Sequence, residues 1–117
     1  MNNQTTAQKI LDAIEYATVA TTNDEGEPWN TPVFYAHDGY TLYWSSHPDS
    51  VHSKNIAANN KAFIVIYNSK ATQGEGMGVY IRARVRVLED KKEVAHALNI
   101  LGKRRGNPIY TCHKVYW

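Results

Sequence analysis

Apolar residues recur at helical spacing over Ile10, Leu11, Ile14 and Ala17, which predicts a first helix. Thr5 followed by Gln8 has the spacing of a capping box at its start. From Ala17 to Thr22 the pattern changes to a Thr- and Val-rich run, the signature of a strand. The turn Asn23-Asp24-Glu25-Gly26 leads into a second strand from about Trp29 to His37. Asp38-Gly39 is a hairpin signal, and Tyr40 to Ser45 forms the return strand. The sequence His47-Pro48-Asp49-Ser50 then breaks the pattern and opens a short helix to about Asn59, with Asp49 or Ser50 as its cap. Ala62 to Tyr67 shows no alternation, so burial on both faces is expected there. A polar loop at 69–76 precedes a long strand, Gly78 to Leu88, of clear period two. Val79, Ile81, Ala83, Val85 and Val87 point one way; Tyr80, Arg82, Arg84 and Arg86 point the other. Asp90 with Glu93 starts a third helix carrying Val94, Leu98 and Leu101, with Gly106 as its expected end. Ile109 to Trp117 opens a last strand.

Hairpins joined by short helices fit a mainly β fold, a small antiparallel barrel with peripheral helices. The 117 residues make one domain. Hydrophobic residues at 43% and charged ones at 21% suit a soluble globular chain rather than a disordered one. A net charge of +2 is too balanced to imply a nucleic-acid or membrane partner. Cys112, the single cysteine, excludes an intrachain disulfide and any multi-cysteine metal site, and it fits a reducing cytoplasm. The N-terminus MNNQTTAQ has no signal-peptide pattern, and the apolar run Ala62–Tyr67 is far too short for a membrane span. A chain this small buries a thin core, so a sizeable ligand is expected to need a subunit interface.

Two stretches carry chemistry. Between Trp44 and Asn55 a strand ends in Ser45-Ser46, and a helix begins beside His52, Ser53, Lys54 and Asn55. Free N–H groups of a first helical turn favour an anion, and hydroxyls with a lysine add charge-assisted bonds. This makes a seat for a phosphomonoester; an ordinary capped surface helix has the same pattern. In Asn30-Thr31-Pro32-Val33-Phe34-Tyr35, Pro32 implies a sheet edge or bulge. Such an edge leaves backbone groups of Thr31 and Val33 for a planar heteroaromatic ring; equally, the proline simply protects the edge from other chains.

Residues 17 to 67, ATVATTNDEGEPWNTPVFYAHDGYTLYWSSHPDSVHSKNIAANNKAFIVIY, together with GVYIRARVRVLED at 78 to 90, resemble the FMN-binding split barrels of the pyridoxamine 5′-phosphate oxidase-like family. The resemblance implies a six-stranded antiparallel split β-barrel and a homodimer with two FMN molecules at its interface. It also implies a flavin-dependent oxidoreductase acting on a small molecule that the sequence does not identify. By position, Thr31, Pro32 and Val33 match the strand lining the flavin ring. Trp44, Ser45 and Ser46 match the strand end near the ribityl and phosphate groups, with Trp44 offering apolar contact. His52, Ser53, Lys54 and Asn55 match the phosphate-binding helix start. Gln73 is a weaker match for a residue reaching a ligand shared by two chains.

The chain also departs from the pyridoxine-phosphate oxidases. They have an Arg–Lys pair where this chain has Val51-His52, and Arg where it has Thr31. They also extend past the position of Trp117 with a segment that helps hold pyridoxal phosphate. FMN binding therefore carries over better than oxidation of pyridoxamine phosphate. A binder of flavin, haem or deazaflavin without turnover is the alternative. The Arg82-Arg84-Arg86 stripe admits an OB-like nucleic-acid platform with Tyr80 stacking a base; a solvated or dimer-facing surface is the simpler reading. Cys112-His113 with His96 or His47 lacks metal-site spacing, so no metal is expected.

Overall fold

The computed structural model describes residues 3–71, 73–74, 77–102 and 109–112. The elements are α1 (Asn3–Ala13), β1 (Tyr16–Thr22), β2 (Pro28–Asp38), β3 (Thr41–Ser45), α2 (Val51–Ala58), β4 (Lys61–Tyr67), β5 (Gly78–Val87), α3 (Lys91–Leu101) and β6 (Ile109–Cys112). All six strands pair antiparallel in the closed order β1-β2-β3-β6-β5-β4. This is the six-stranded barrel with peripheral helices expected from the pattern.

The barrel closes because each strand has one apolar face. Val19, Leu42, Trp44, Ile64, Ile66 and Ile81 are completely buried. β4 corrects one expectation. Its side chains alternate, with Ile64 and Ile66 at 0% exposure but Phe63 at 39% and Tyr67 at 51%, so one face alone is turned to the core. β5 alternates as expected through Val85, but Val87 is exposed. Leu88 is buried instead, donating its N–H to Ile109 O at 2.8 Å, and joins a second cluster with Ala97, Leu101 and Ile109. That cluster seats α3 against the outside of the barrel.

Helix ends follow local chemistry. Asp90 caps α3 by accepting from Glu93 N, and Gly102, at φ 72°, ends it. The helix therefore stops four residues before Gly106, because the first glycine able to turn left-handed terminates it. α1 begins at Asn3, so Thr5 lies within the helix rather than at its cap. Leu11 and Ala7 of α1 enter the barrel core. The Tyr35 hydroxyl donates to Leu11 O at 2.9 Å, satisfying a carbonyl near the helix end. Burial, with Asp12 nearby as a smaller cause, pushes the Tyr35 phenol well above its usual range, so it remains a donor. His37 contacts Asp12 at 2.8 Å and His96 contacts Asp38 at 3.2 Å. These pairs tie α1 and α3 to the β2–β3 hairpin.

Candidate functional site

The two stretches singled out by chemistry meet where β2 and β3 part. Their ladder runs from Asp38↔Thr41 to Tyr35↔Trp44. Among the described residues, β2 continues toward Pro28 paired with β1 alone. The chain after β3 leaves the ladder through His47-Pro48-Asp49 and enters α2. One side of β2 near Pro32 therefore faces a split instead of a strand.

The ladder phase decides which backbone groups face that split. Tyr35 N donates to Glu15 O at 3.2 Å, and the β1–β2 register runs without a bulge from Tyr16↔Phe34 to Thr22↔Pro28. Alternate residues turn the same way, so Thr31 and Val33 direct their backbone groups to β1. The sequence expectation is corrected here: the groups turned to the split belong to Asn30 and Pro32. Pro32 has no N–H and offers only its carbonyl. A proline here leaves every β1 bond intact, since its missing N–H falls on the unpaired side.

The strand-end residues divide by face. Trp44 has 0% exposure, with its ring stacked on Tyr110 at 6.3 Å inside the barrel. The expected apolar contact from its ring is therefore corrected, because period two places Leu42 and Trp44 inward. Its Nε1–H has no acceptor among the described residues. Ser45 lies on the outer face, half-buried. Ser46 is buried, and its Oγ lies 2.8 Å from His52 Nε2. Burial lowers the His52 pKa, which favours a neutral ring.

Ser50 caps α2, accepting from Ser53 N. Its Oγ also donates to His47 O at 2.8 Å, so at the 2.7 Å Ser50–Ser53 contact Ser53 Oγ gives the proton. Asn55 is buried and donates from Nδ2 to Thr21 Oγ1 at 3.0 Å; Asn59 does the same to Thr22 Oγ1 at 3.1 Å. These bonds fix the helix against the end of β1. Lys54 is exposed and Val33 is in the core. Within the set Thr31, Pro32, Val33, Trp44, Ser45, Ser46, His52, Ser53, Lys54 and Asn55, the structure joins Ser46 to His52. Ser53 and Asn55 hold the helix, and Lys54 is open to solvent. Gln73 lies in an exposed turn.

Three residues outside that set belong to the same corner. Asn30 supplies edge groups, Thr21 holds Asn55, and Trp29 pairs with Thr21 across the ladder. Trp29 is 46% exposed, and its Nε1–H donates to Thr31 Oγ1 at 2.8 Å. Two-residue spacing in a strand places Trp29 and Thr31 on one face. That spacing is the signal in the sequence that finds the pair.

A search of curated proteins finds no match. Solved structures share the fold at low identity. A FAD-binding protein from Mesorhizobium loti aligns with TM-score 0.74 and 22% identity, covering 96% of this chain and 88% of that one. The heme storage protein of Vibrio cholerae aligns with TM-score 0.82 and 10% identity, covering 100% and 92%. A heme binding protein from Mycobacterium smegmatis aligns with TM-score 0.81 and 21% identity over 98% of this chain, which spans only 52% of that protein. A family profile described as Pyridoxamine 5′-phosphate oxidase matches residues 4–114. With the closed six-stranded barrel, this match over nearly the whole chain makes the protein a member of the pyridoxamine 5′-phosphate oxidase-like family.

Proposed function

We propose that this chain binds FMN along the split edge of β2, with the phosphate turned toward the start of α2, and works as a homodimeric flavin-dependent oxidoreductase on a small molecule. The observation that carries the reading is the edge at Asn30 and Pro32, left by β3 after Tyr35↔Trp44. It offers an N–H and two carbonyls to a flat ligand rim, and the rim of a flavin ring carries both acceptors and a ring N–H. At the α2 end, unspent N–H groups of the first turn and the exposed Lys54 suit a phosphate. The neutral His52 ring adds no charge there, but it holds Ser46 in place.

Bound FMN supplies hydride exchange at its ring; the chain supplies position and electrostatics. Thr31 and Val51-His52 stand where the pyridoxine-phosphate oxidases carry basic residues, so oxidation of pyridoxamine phosphate is not part of this proposal.

An aromatic band on the outer face supports a second copy. Tyr16 meets Phe34 edge-on at 5.5 Å. The β1–β4 register carries the band to Tyr67, which pairs with Gly78. The Tyr80 ring lies over Gly78, where a Cβ would come within 3.2 Å of it. Tyr16, Tyr67 and Tyr80 are each more than half exposed, and aromatics of this kind are enriched at interfaces.

The test is the visible spectrum of the protein after FMN addition and desalting, with mass measured by light scattering. Flavin bands at one per chain on a dimer are expected. A protein that retains no flavin overturns the cofactor reading, and a monomer carrying flavin overturns the dimer.

A further inference from the structure

We propose that Trp29 forms one wall of this site, packing flat against the ligand ring, and that Thr31 donates its hydroxyl proton to that ring's rim. The inference rests on the flavin reading above and adds two side-chain roles to it.

The argument starts from strand geometry. A flat ligand bonded edge-on to Asn30 and Pro32 continues the plane of the sheet, as a further strand would. Side chains of β2 then stand above and below it. Asn30 and Pro32 lie on one face, Trp29 and Thr31 on the other. Trp29 is the large apolar side chain on its face at this end of β2. It is 46% exposed, whereas Val33 and Tyr35, farther along the same face, are at 6% and 4% in the core. The indole is therefore exposed at the end of β2 that lies beyond its ladder with β3.

The indole is also oriented. Its one polar atom is already bonded, since Nε1–H donates to Thr31 Oγ1 at 2.8 Å. The ring has no unmet polar demand to bring into contact with an aromatic ligand. The same bond assigns the threonine proton. Thr31 Oγ1 accepts from Trp29, and its own O–H remains a donor. An acceptor on the ligand rim beside the Pro32 carbonyl fits that donor. Trp29 further pairs with Thr21, whose hydroxyl holds Asn55 of α2. The wall and the phosphate seat are thus built on the same short segment of β1.

The test titrates FMN and riboflavin into the full chain and follows flavin absorbance and emission. Comparison of Trp29→Ala, Trp29→Phe, Thr31→Val and Thr31→Ser separates the two roles, with folding checked by thermal melts. Trp29→Ala is expected to weaken FMN and riboflavin by the same factor, roughly ten- to hundredfold, the usual cost of losing an aromatic stacking partner. Trp29→Phe should hold affinity within about threefold while the bound flavin becomes brighter, because indole in contact with a flavin quenches it by electron transfer and benzene does not. Thr31→Val should cost roughly threefold to tenfold and Thr31→Ser nearly nothing. If Trp29→Ala unfolds, the emission of bound flavin in Trp29→Phe decides. Unchanged affinity and emission in both Trp29 variants would overturn the wall and leave FMN binding standing. A loss confined to FMN would also overturn it, since that places the effect at the phosphate. Wild-type protein that binds neither flavin overturns the cofactor reading itself.

Discussion

The bond from Asn55 to Thr21 is the most exacting place to test how α2 is held. Both side chains are nearly inaccessible, at 7% and 3% exposure, and they join residues 34 apart in sequence across 3.0 Å. Asn55→Ala leaves Thr21 Oγ1 without its donor in a dry environment, which costs about 1–3 kcal/mol. Thr21→Val leaves the Asn55 amide with an unmet N–H, at similar cost. The double variant removes both partners, so its loss should fall short of the sum of the singles. The shortfall, about 0.5–1.5 kcal/mol, is the coupling. For a chain of this size each kcal/mol lowers Tm by roughly 3–6 °C. The assay is urea unfolding of the four proteins, with flavin affinity measured in parallel. Affinity should fall in each single variant, because the first turn of α2 moves with Asn55. Strictly additive losses in stability would refute the reasoning, and so would full affinity in a destabilised Asn55→Ala.

Other expectations follow from the same geometry. Lys54→Ala should raise the FMN dissociation constant roughly ten- to hundredfold, the value of one charged hydrogen bond of about 1.5–3 kcal/mol, with riboflavin affinity unchanged. Burial lowers the His52 pKa. The folded protein therefore takes up fewer protons than the unfolded chain just below pH 6.5, the ordinary histidine value. Stability should decline as pH falls through that value toward the folded-state one, and His52→Gln should flatten this part of the profile in denaturant titrations. Gly102 sits at φ 72° with no heavy atom within 4 Å of an added Cβ. Gly102→Ala should cost about 1 kcal/mol through backbone strain alone, read as a lower urea midpoint at unchanged slope.

Much of the fold can be read from local signals, because each element carries its own punctuation. Asp90 with Glu93, Asp38-Gly39 and the alternation through β5 act over a few residues, and the structure keeps them. Three misreadings share one cause. The both-face burial expected of β4, the backbone groups expected from Thr31 and Val33, and the ring contact expected from Trp44 all depend on the side of a strand that meets another element. A sequence gives the period of a strand but not its phase against neighbours. Phase is set by pairs such as Val19↔Thr31 and Ala20↔Phe63, whose partners are far apart along the chain. Asn55 was legible as a member of the helix start; its partner Thr21 was not. Trp29 was legible in principle, through its spacing from Thr31, but nothing in composition separates it from any other strand aromatic.

The position of β6 has a consequence for how the molecule is made. This four-residue strand is the last in chain order, yet it sits between β3 and β5 and pairs with both, Tyr110 facing Trp44 on one side and Val87 on the other. Until it arrives, two long edges stand open and the sheet is a curled ribbon. During synthesis the barrel must therefore wait for nearly all of its residues to leave the ribosome. Closure then depends on contacts spanning more than sixty positions, the kind that slows folding and prolongs exposure of unpaired strands. A chain cut just before Ile109 would not be a slightly smaller barrel. It would be an open sheet with Trp44 stripped of its stacking partner, and a substrate for proteolysis and for pairing with its own copies.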